Sequence, residues 1–347
     1  MAERPKTFKK LMVQKLTSNF REAVSIEISN MCHPSENEVC IRNKYVGINA
    51  TDVNVTKGRY ASVGAKLPFG VGLEGLGEIV EVGENVKDLK IGQYVAYMNS
   101  KINSYAEFVC IPVEEVYLIP ELNPEYLVLL VSGATASIGL DKCARITEKE
   151  KVLITAAAGG AGHIAVQWAK AAGCYVIGTC STEEKEKVLK ELGCDRVINY
   201  KKEDLAEVLQ KEYQNGIDVI WETIGGQVFE TCIKNIANRG RLVIVGGISS
   251  YKSEDSFMPK LDLSFLPELL LFRSAAVLGF RRAAYRECFT TYFKFLSESL
   301  EKGDLKTLID NGEKSAGGEF FGMEGIIKGV EHLHTGKSIG KVIARLY

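Results

Sequence analysis

The sequence predicts an α/β protein of two domains, one of them a doubly wound parallel sheet, and three observations carry that prediction. The length of 347 residues corresponds to about two domains at roughly 150 residues each. From Lys151 to Val245, short apolar strands alternate with helical stretches, the pattern of a parallel sheet covered on both faces. A Gly-rich turn lies between the first strand of that series and its first helix, where such folds receive nucleotides.

Before that series the texture is different. Val39–Asn49, Gly77–Val82, Tyr94–Met98 and Tyr105–Ile111 are rich in β-branched or aromatic residues and bounded by Gly, Asn or Pro, so they read as strands. Gly72, Gly75, Gly77 and Gly83 suit a curved sheet with tight bends. Pro124–Leu140 has the apolar spacing of a helix. The alternation then runs strand Lys151–Ala156, helix Ala161–Ala172, strand Cys174–Thr179, helix Glu183–Leu192 and strand Arg196–Tyr200. It continues with helix Leu205–Tyr213, strand Ile217–Glu222, helix Val228–Ala237 and strand Gly240–Val245. Ala275–Phe280 is a further strand, followed by a helix through Leu300. The last forty residues return to mixed texture and end in a strand, Lys341–Leu346, expected to rejoin the first domain so that the α/β part is an insertion.

Composition narrows the chemistry. Forty-three Lys and Arg nearly cancel forty-four Asp and Glu, leaving a net charge of −1 and no global field for nucleic acid or an anionic membrane. No run of 18 apolar residues is evident, so no membrane span is expected. The start, MAERPKTFKK, lacks the apolar stretch of a secretory signal. The nine Cys (32, 40, 110, 143, 174, 180, 194, 232 and 288) contain no CxxC pair and are odd in number, as in a reduced, cytoplasmic chain. They lie at scattered positions, and with only four His (33, 163, 332 and 334) no metal site is expected. His332 and His334, two apart on a helix, read as solvated structural residues.

The strongest motif is AAAGGAGHIA, Ala156 to Ala165. A strict GxGxxG would have its first glycine where Ala157 stands; Gly159, Gly160, Ala161 and Gly162 follow. Small residues let backbone approach a pyrophosphate and let the helix pack hard on the strand. The helix N-terminus then offers unpaired N–H groups and partial positive charge. His163 falls just inside this helix and reads as a packing or capping residue. At the end of the next strand, GTCSTEEK has Thr179, Cys180 and Ser181 where an NAD site wants an acid. Ser181 and Glu184 form a capping-box pattern, and Lys185 one turn in can meet a 2′-phosphate, so the expected cofactor is NADP(H).

That loop, together with VGINATD (Val46–Asp52), VGLEGLGEIVEVG (Val71–Gly83), LLVSGATA (Leu129–Ala136), LGCDRVINY (Leu192–Tyr200) and GRLVIVGGISSY (Gly240–Tyr251), resembles the medium-chain dehydrogenase/reductase superfamily. The resemblance runs from about Lys10 to the C-terminus and is to the zinc-free quinone oxidoreductase and enone reductase branch. It implies a GroES-like, partly open β-barrel domain (1–130 and 305–347) and an NADP-binding Rossmann domain (131–304). The family's zinc-ligand His has become Leu73 in Gly72-Leu73-Glu74, and no Cys lies between Cys40 and Cys110, so no zinc is expected. The activity implied is NADPH-dependent reduction of the C=C bond of α,β-unsaturated ketones, such as 15-keto-prostaglandins or similar lipid enones. A quinone reductase with the same cofactor site and a dinucleotide-binding protein without turnover are the alternatives.

The resemblance makes Tyr251, in GGISSY, the catalytic tyrosine; by itself it would only close a loop. Lys185 and Tyr200 match the pair around the 2′-phosphate, and Asn49 and Thr135 match positions near nicotinamide and substrate. Ile248 and Ser249 are expected along the nicotinamide, and Phe280 where backbone meets its carboxamide. Tyr60 either walls the substrate pocket or is an ordinary aromatic, and the loop Tyr251–Pro267 supplies apolar lining. Ser338 stands where related reductases carry Asn against the cofactor. A homodimer joined near Ala275–Phe280 is implied, and a peroxisomal location is compatible with the family.

Overall fold

The computed structural model describes residues 5–60, 66–253 and 261–347. The chain divides into two compact units, residues 1–131 with 309–347, and residues 132–308.

The first unit is built on a curled antiparallel sheet. Its spine is the ten-residue strand Glu38–Gly47, which pairs with Glu74–Val82 along one edge. On the other edge it pairs with Phe108–Pro112 near its start and with Lys341–Arg345 near its end. Register breaks at Cys40/Ile41 and Asn43/Tyr45 against Glu74–Val82 add local twist, which is how one long strand serves a closing sheet. Val39, Ile41, Ile79, Val95, Tyr97, Val109 and Ile111 fill the interior. A smaller sheet of Val24–Asn30, Thr7–Val13 and Phe69–Gly70 completes the β structure. This is the partly open barrel that the resemblance implied, and the last strand does return to it.

The second unit is a six-stranded, all-parallel sheet. Across it run Arg196–Asn199, Tyr175–Cys180, Lys151–Ile154, Ile217–Glu222, Ile236–Ile244 and Ala276–Gly279. Chain order reverses between Lys151–Ile154 and Ile217–Glu222, so the carboxyl ends of these two strands frame the topological switch point, the crevice where doubly wound sheets bind ligands. Leu153, Ile177, Ile198, Ile220 and Leu242 are buried with helix residues Leu209, Phe229 and Ile233 on one face.

Several expectations change. Ile236 and Ala237 start a strand rather than finish a helix, because Ile236 pairs with Ile217. The cap of helix Glu183–Glu191 is Thr182, whose hydroxyl accepts the Lys185 N–H at 3.2 Å, not the Ser181 and Glu184 pair. His332 is not solvated: its Nε2 lies 2.9 Å from Asp310 Oδ2 and its ring packs on Phe320. The helical run Glu125–Ala144 is, by length and composition, able to cross a membrane, against expectation; 78% of that window is buried inside the protein, so its apolarity serves the core. None of the nine Cys is in a disulfide, yet they are not all scattered, for Cys32, Cys40 and Cys110 converge.

Candidate active site

In the second unit the Gly-rich turn follows strand Lys151–Ile154 and opens helix Gly162–Ala171. The first N–H groups of the turn point back: those of Ala156 and Ala157 bond to Thr179 at the end of the neighbouring strand, and that of Gly159 bonds to Ala156 O at 3.0 Å. The helix bonds then begin, His163 N–H to Gly159 O and Ala165 N–H to Ala161 O, so Gly160, Ala161 and Gly162 stand at the helix N-terminus, where backbone N–H groups and the helix dipole favour an anion. A methyl group on Gly162 would come within 2.4 Å of Ala156 O and 2.7 Å of Ala157 O, so only glycine lets the helix start this close to the turn. Ala156 takes a left-handed φ of 48°, at a cost of about 1 kcal/mol for an L-residue.

His163 is fully buried and holds the turn from behind. Its Nε2 accepts the Leu308 N–H at 3.2 Å, so the Nδ1 proton goes to Gly159 O at 2.9 Å. Both bonds together require the neutral Nδ1–H tautomer, which makes this residue a tie rather than a proton carrier.

At the switch point two residues that the sequence did not announce clamp the strand ends. The Thr155 and Thr223 hydroxyls are 3.1 Å apart, and the Thr223 N–H donates to Thr155 Oγ1 at 2.9 Å. Next to them Glu222 is buried, its carboxylate accepting the N–H groups of Ile224 and Gly225, and burial raises its pKa. Ile248 and Ser249 lie over the same end: their N–H groups bond to Thr223 O and Ile224 O, and the Ser249 hydroxyl donates to Ile224 O at 2.6 Å. Tyr251 is buried, and its hydroxyl accepts the Gly247 N–H at 3.2 Å. The Phe280 N–H bonds to Ile244 O at 2.9 Å while its ring packs 6.2 Å from Trp221. Lys185 is buried in the first turn of its helix, Ser181 is half-buried just before it, and Tyr200 is exposed at the end of the adjoining strand. Thr135 is half-buried on helix Ala134–Ile138. Of the loop Tyr251–Pro267, residues 254–260 lie outside the described residues.

The first unit contributes a separate buried polar cluster, most of it invisible in the sequence. Asn49 Oδ1 accepts from Lys341 Nζ at 2.7 Å, and Asn49 Nδ2 donates to Glu74 Oε1 at 2.9 Å. Lys341 also pairs directly with Glu74, and both side chains are withdrawn from solvent. The second Glu74 oxygen accepts the Val131 N–H at 2.8 Å. Gly47 has no side chain because Glu74 Oε1 lies only 2.4 Å from where a Cβ would stand. Beneath Asn49, Asp52 accepts the Asn49 N–H at 2.8 Å and the Tyr105 hydroxyl, and burial pushes its pKa up to about 7. Tyr60 is half-buried with its hydroxyl on Thr51, and Ser338 is half-buried before the last strand.

These donors do not fit a catalytic zinc. A tetrahedral ion needs three or four thiolate, imidazole or carboxylate ligands. Of the side chains in this cluster only Glu74 and Asp52 are of those kinds, and Glu74 is already paired with the Lys341 ammonium.

Comparison with known proteins agrees with this architecture. Residues 35–121 match the alcohol dehydrogenase GroES-like domain, and residues 160–298 match the zinc-binding dehydrogenase domain. The chain is 40% identical over 344 residues to prostaglandin reductase-3 of Mus musculus, covering 99% of this chain and 90% of that protein. It is 38% identical over 346 residues to a probable quinone oxidoreductase of Leishmania amazonensis, covering 99% of each. Among solved structures, Escherichia coli quinone oxidoreductase complexed with NADPH matches with a TM-score of 0.82 at 25% identity, over 97% of this chain and 99% of that one. The chain therefore belongs to the medium-chain dehydrogenase/reductase family.

Proposed function

We propose that the protein is an NADPH-dependent, zinc-free reductase of the C=C bond in α,β-unsaturated ketones, with 15-keto-prostaglandins or similar lipid enones as its substrates. The observation that carries the reading is the Gly-rich turn at the helix N-terminus beside the switch point, with the Ile248–Tyr251 segment bonded over the same strand ends. Its likeness to prostaglandin reductase-3 supports the enone class. When bound, NADPH supplies a hydride for the β-carbon of the double bond.

The chain's own residues do the rest. The N–H groups of Gly160, Ala161 and Gly162 bind the pyrophosphate with the helix dipole behind them. Lys185, Ser181 and Tyr200 receive the 2′-phosphate, while Thr135, Ile248, Ser249 and Phe280 set the nicotinamide end. As the double bond breaks, charge gathers on the ketone oxygen, and the Tyr251 hydroxyl donates a hydrogen bond there. The α-carbon then takes a proton, giving the saturated ketone. In the first unit, Asn49, its amide fixed by Lys341 and Glu74, and Tyr60 are the substrate residues that the family resemblance assigns. Edge strand Ala276–Gly279 is where two copies would join as a dimer.

The test is NADPH consumption with a 15-keto-prostaglandin, a short enone and an ortho-quinone, with product analysis. Saturated ketone is expected from the enones, and Tyr251→Phe should lower kcat by about 10²-fold. Turnover of the quinone alone would favour the second reading, quinone reduction, which the Leishmania relative supports. Tight NADPH binding with no turnover of any of the three would leave only a dinucleotide-binding protein.

A further inference from the structure

Three cysteines far apart in sequence meet in the first unit. Cys32 follows strand Val24–Asn30, Cys40 lies in strand Glu38–Gly47, and Cys110 lies in strand Phe108–Pro112 as the direct cross-strand partner of Cys40. Their sulfurs all lie within 4.8 Å of one another, and Cys32 Sγ is 3.9 Å from Cys40 Sγ. Two sulfurs that share one ion at about 2.3 Å stand roughly 3.8 Å apart in a tetrahedral array and roughly 4.0 Å in a trigonal one. The 3.9 Å between Cys32 and Cys40 is a spacing that co-ligands take, the other sulfur pairs lie within 4.8 Å, and a disulfide would bring such atoms to about 2.05 Å.

The surroundings suit a soft ion. Cys40 is fully buried against Phe8, Ala106 and Phe108, whereas Cys32 and Cys110 are half-buried, which leaves an entry side. Met31 packs against the apolar residues around Cys40. Thiolates suit soft ions, and three of them converge here among the described residues; zinc in a structural site takes four ligands in a tetrahedron, whereas monovalent copper is content with three. The strand-register break at Cys40/Ile41 is the local device that re-aims a side chain at such a point.

We propose that Cys32, Cys40 and Cys110 form a three-sulfur site for monovalent copper, separate from the cofactor residues. Each sulfur that binds releases its thiol proton to solvent, and no electron is transferred. The site asks nothing of the nicotinamide cofactor, so its test does not depend on turnover.

The reduced full-length protein is titrated with copper(I) against a chromogenic copper(I) chelator, and X-ray absorption reads the ligands. One tightly held equivalent per chain with three sulfur neighbours is expected. Cys32→Ser and Cys110→Ser should each weaken binding by roughly 10²-fold or more, since even an outer-shell change costs 10- to 100-fold. Cys288→Ser, on a different segment, should leave it unchanged. Failure to withdraw copper(I) from the chelator would overturn the proposal. So would an equivalent that survives Cys32→Ser, or two or fewer sulfur neighbours in the wild-type spectrum, a reading that needs no variant to fold.

Discussion

Lys341 and Glu74 are a buried ion pair whose members sit 267 positions apart, and only the return of the last strand brings them together. Removing one partner of such a pair leaves an uncompensated buried charge, at a cost of about 3–5 kcal/mol. Lys341→Met should therefore lower the melting temperature by roughly 6 °C or more, taking about 2–4 °C per kcal/mol for a unit of this size. Adding Glu74→Gln to it should recover part of the loss, because the stranded carboxylate is then neutral; thermal denaturation of the single and double variants decides it. Asp52 gives a second expectation at this scale. Burial raises its pKa from the ordinary 3.8 to about 7, against the Tyr105 and Asn49 hydrogen bonds that favour the charge. The folded state thus holds a proton that the unfolded state has lost. Its contribution to stability is fully present below about pH 4 and declines as pH rises through about 7. The stability difference between wild type and Asp52→Asn should follow that decline; a difference independent of pH from 4 to 8 would contradict it.

At the scale of elements, the Gly-rich turn distinguishes its own glycines. A Cβ at Gly162 meets backbone oxygens at 2.4 and 2.7 Å, whereas one at Gly159 meets only Ala156 O at 3.2 Å. Gly162→Ala must push the helix off the turn and should weaken NADPH binding tenfold or more, about 1.4 kcal/mol, while Gly159→Ala should change it by a smaller factor. Titration of cofactor fluorescence compares them, and equal losses would show that the turn tolerates both alike. The same local character explains why this part was legible. Strand, turn and helix lie within twenty-odd residues, and an apolar run such as Ile217–Glu222 is buried on both faces, so spacing alone announces it. Helix Gly322–Leu333 is legible only at its end, around His332, because Gly322, Gly325 and Gly329 interrupt its sequence. Tertiary packing wants two of them: Gly325 lies against the Phe320 backbone, and Gly329 against the Ile48 side chain. The Thr155–Thr223 clamp, the Asn49–Glu74–Lys341 cluster and the three gathered cysteines depend on strand pairing over long separations. No spacing rule reads such contacts from one chain.

At the scale of the whole molecule, a net charge of −1 means that the protein has no general attraction for a highly anionic dinucleotide. Whatever separates NADPH from NADH must then act locally, at the end of strand Tyr175–Cys180 and the first turn of the helix that follows. That strand end has no acid at Ser181, and Lys185 is the residue proposed to meet the 2′-phosphate, at short range instead of through a screened long-range field. A ligand that binds only the folded state stabilises it by RT ln(1 + [L]/Kd), about 2.7 kcal/mol at a hundred times Kd. NADPH at that concentration should raise the melting temperature of the full chain by roughly 5 °C or more, and NADH at the same concentration should raise it distinctly less. Lys185→Ala should bring the two shifts together by lowering the NADPH response and leaving the NADH response in place. Equal shifts in the wild-type protein would remove the 2′-phosphate from the site. A loss of both shifts in the variant would make Lys185 a support of the helix instead of a reader of the phosphate.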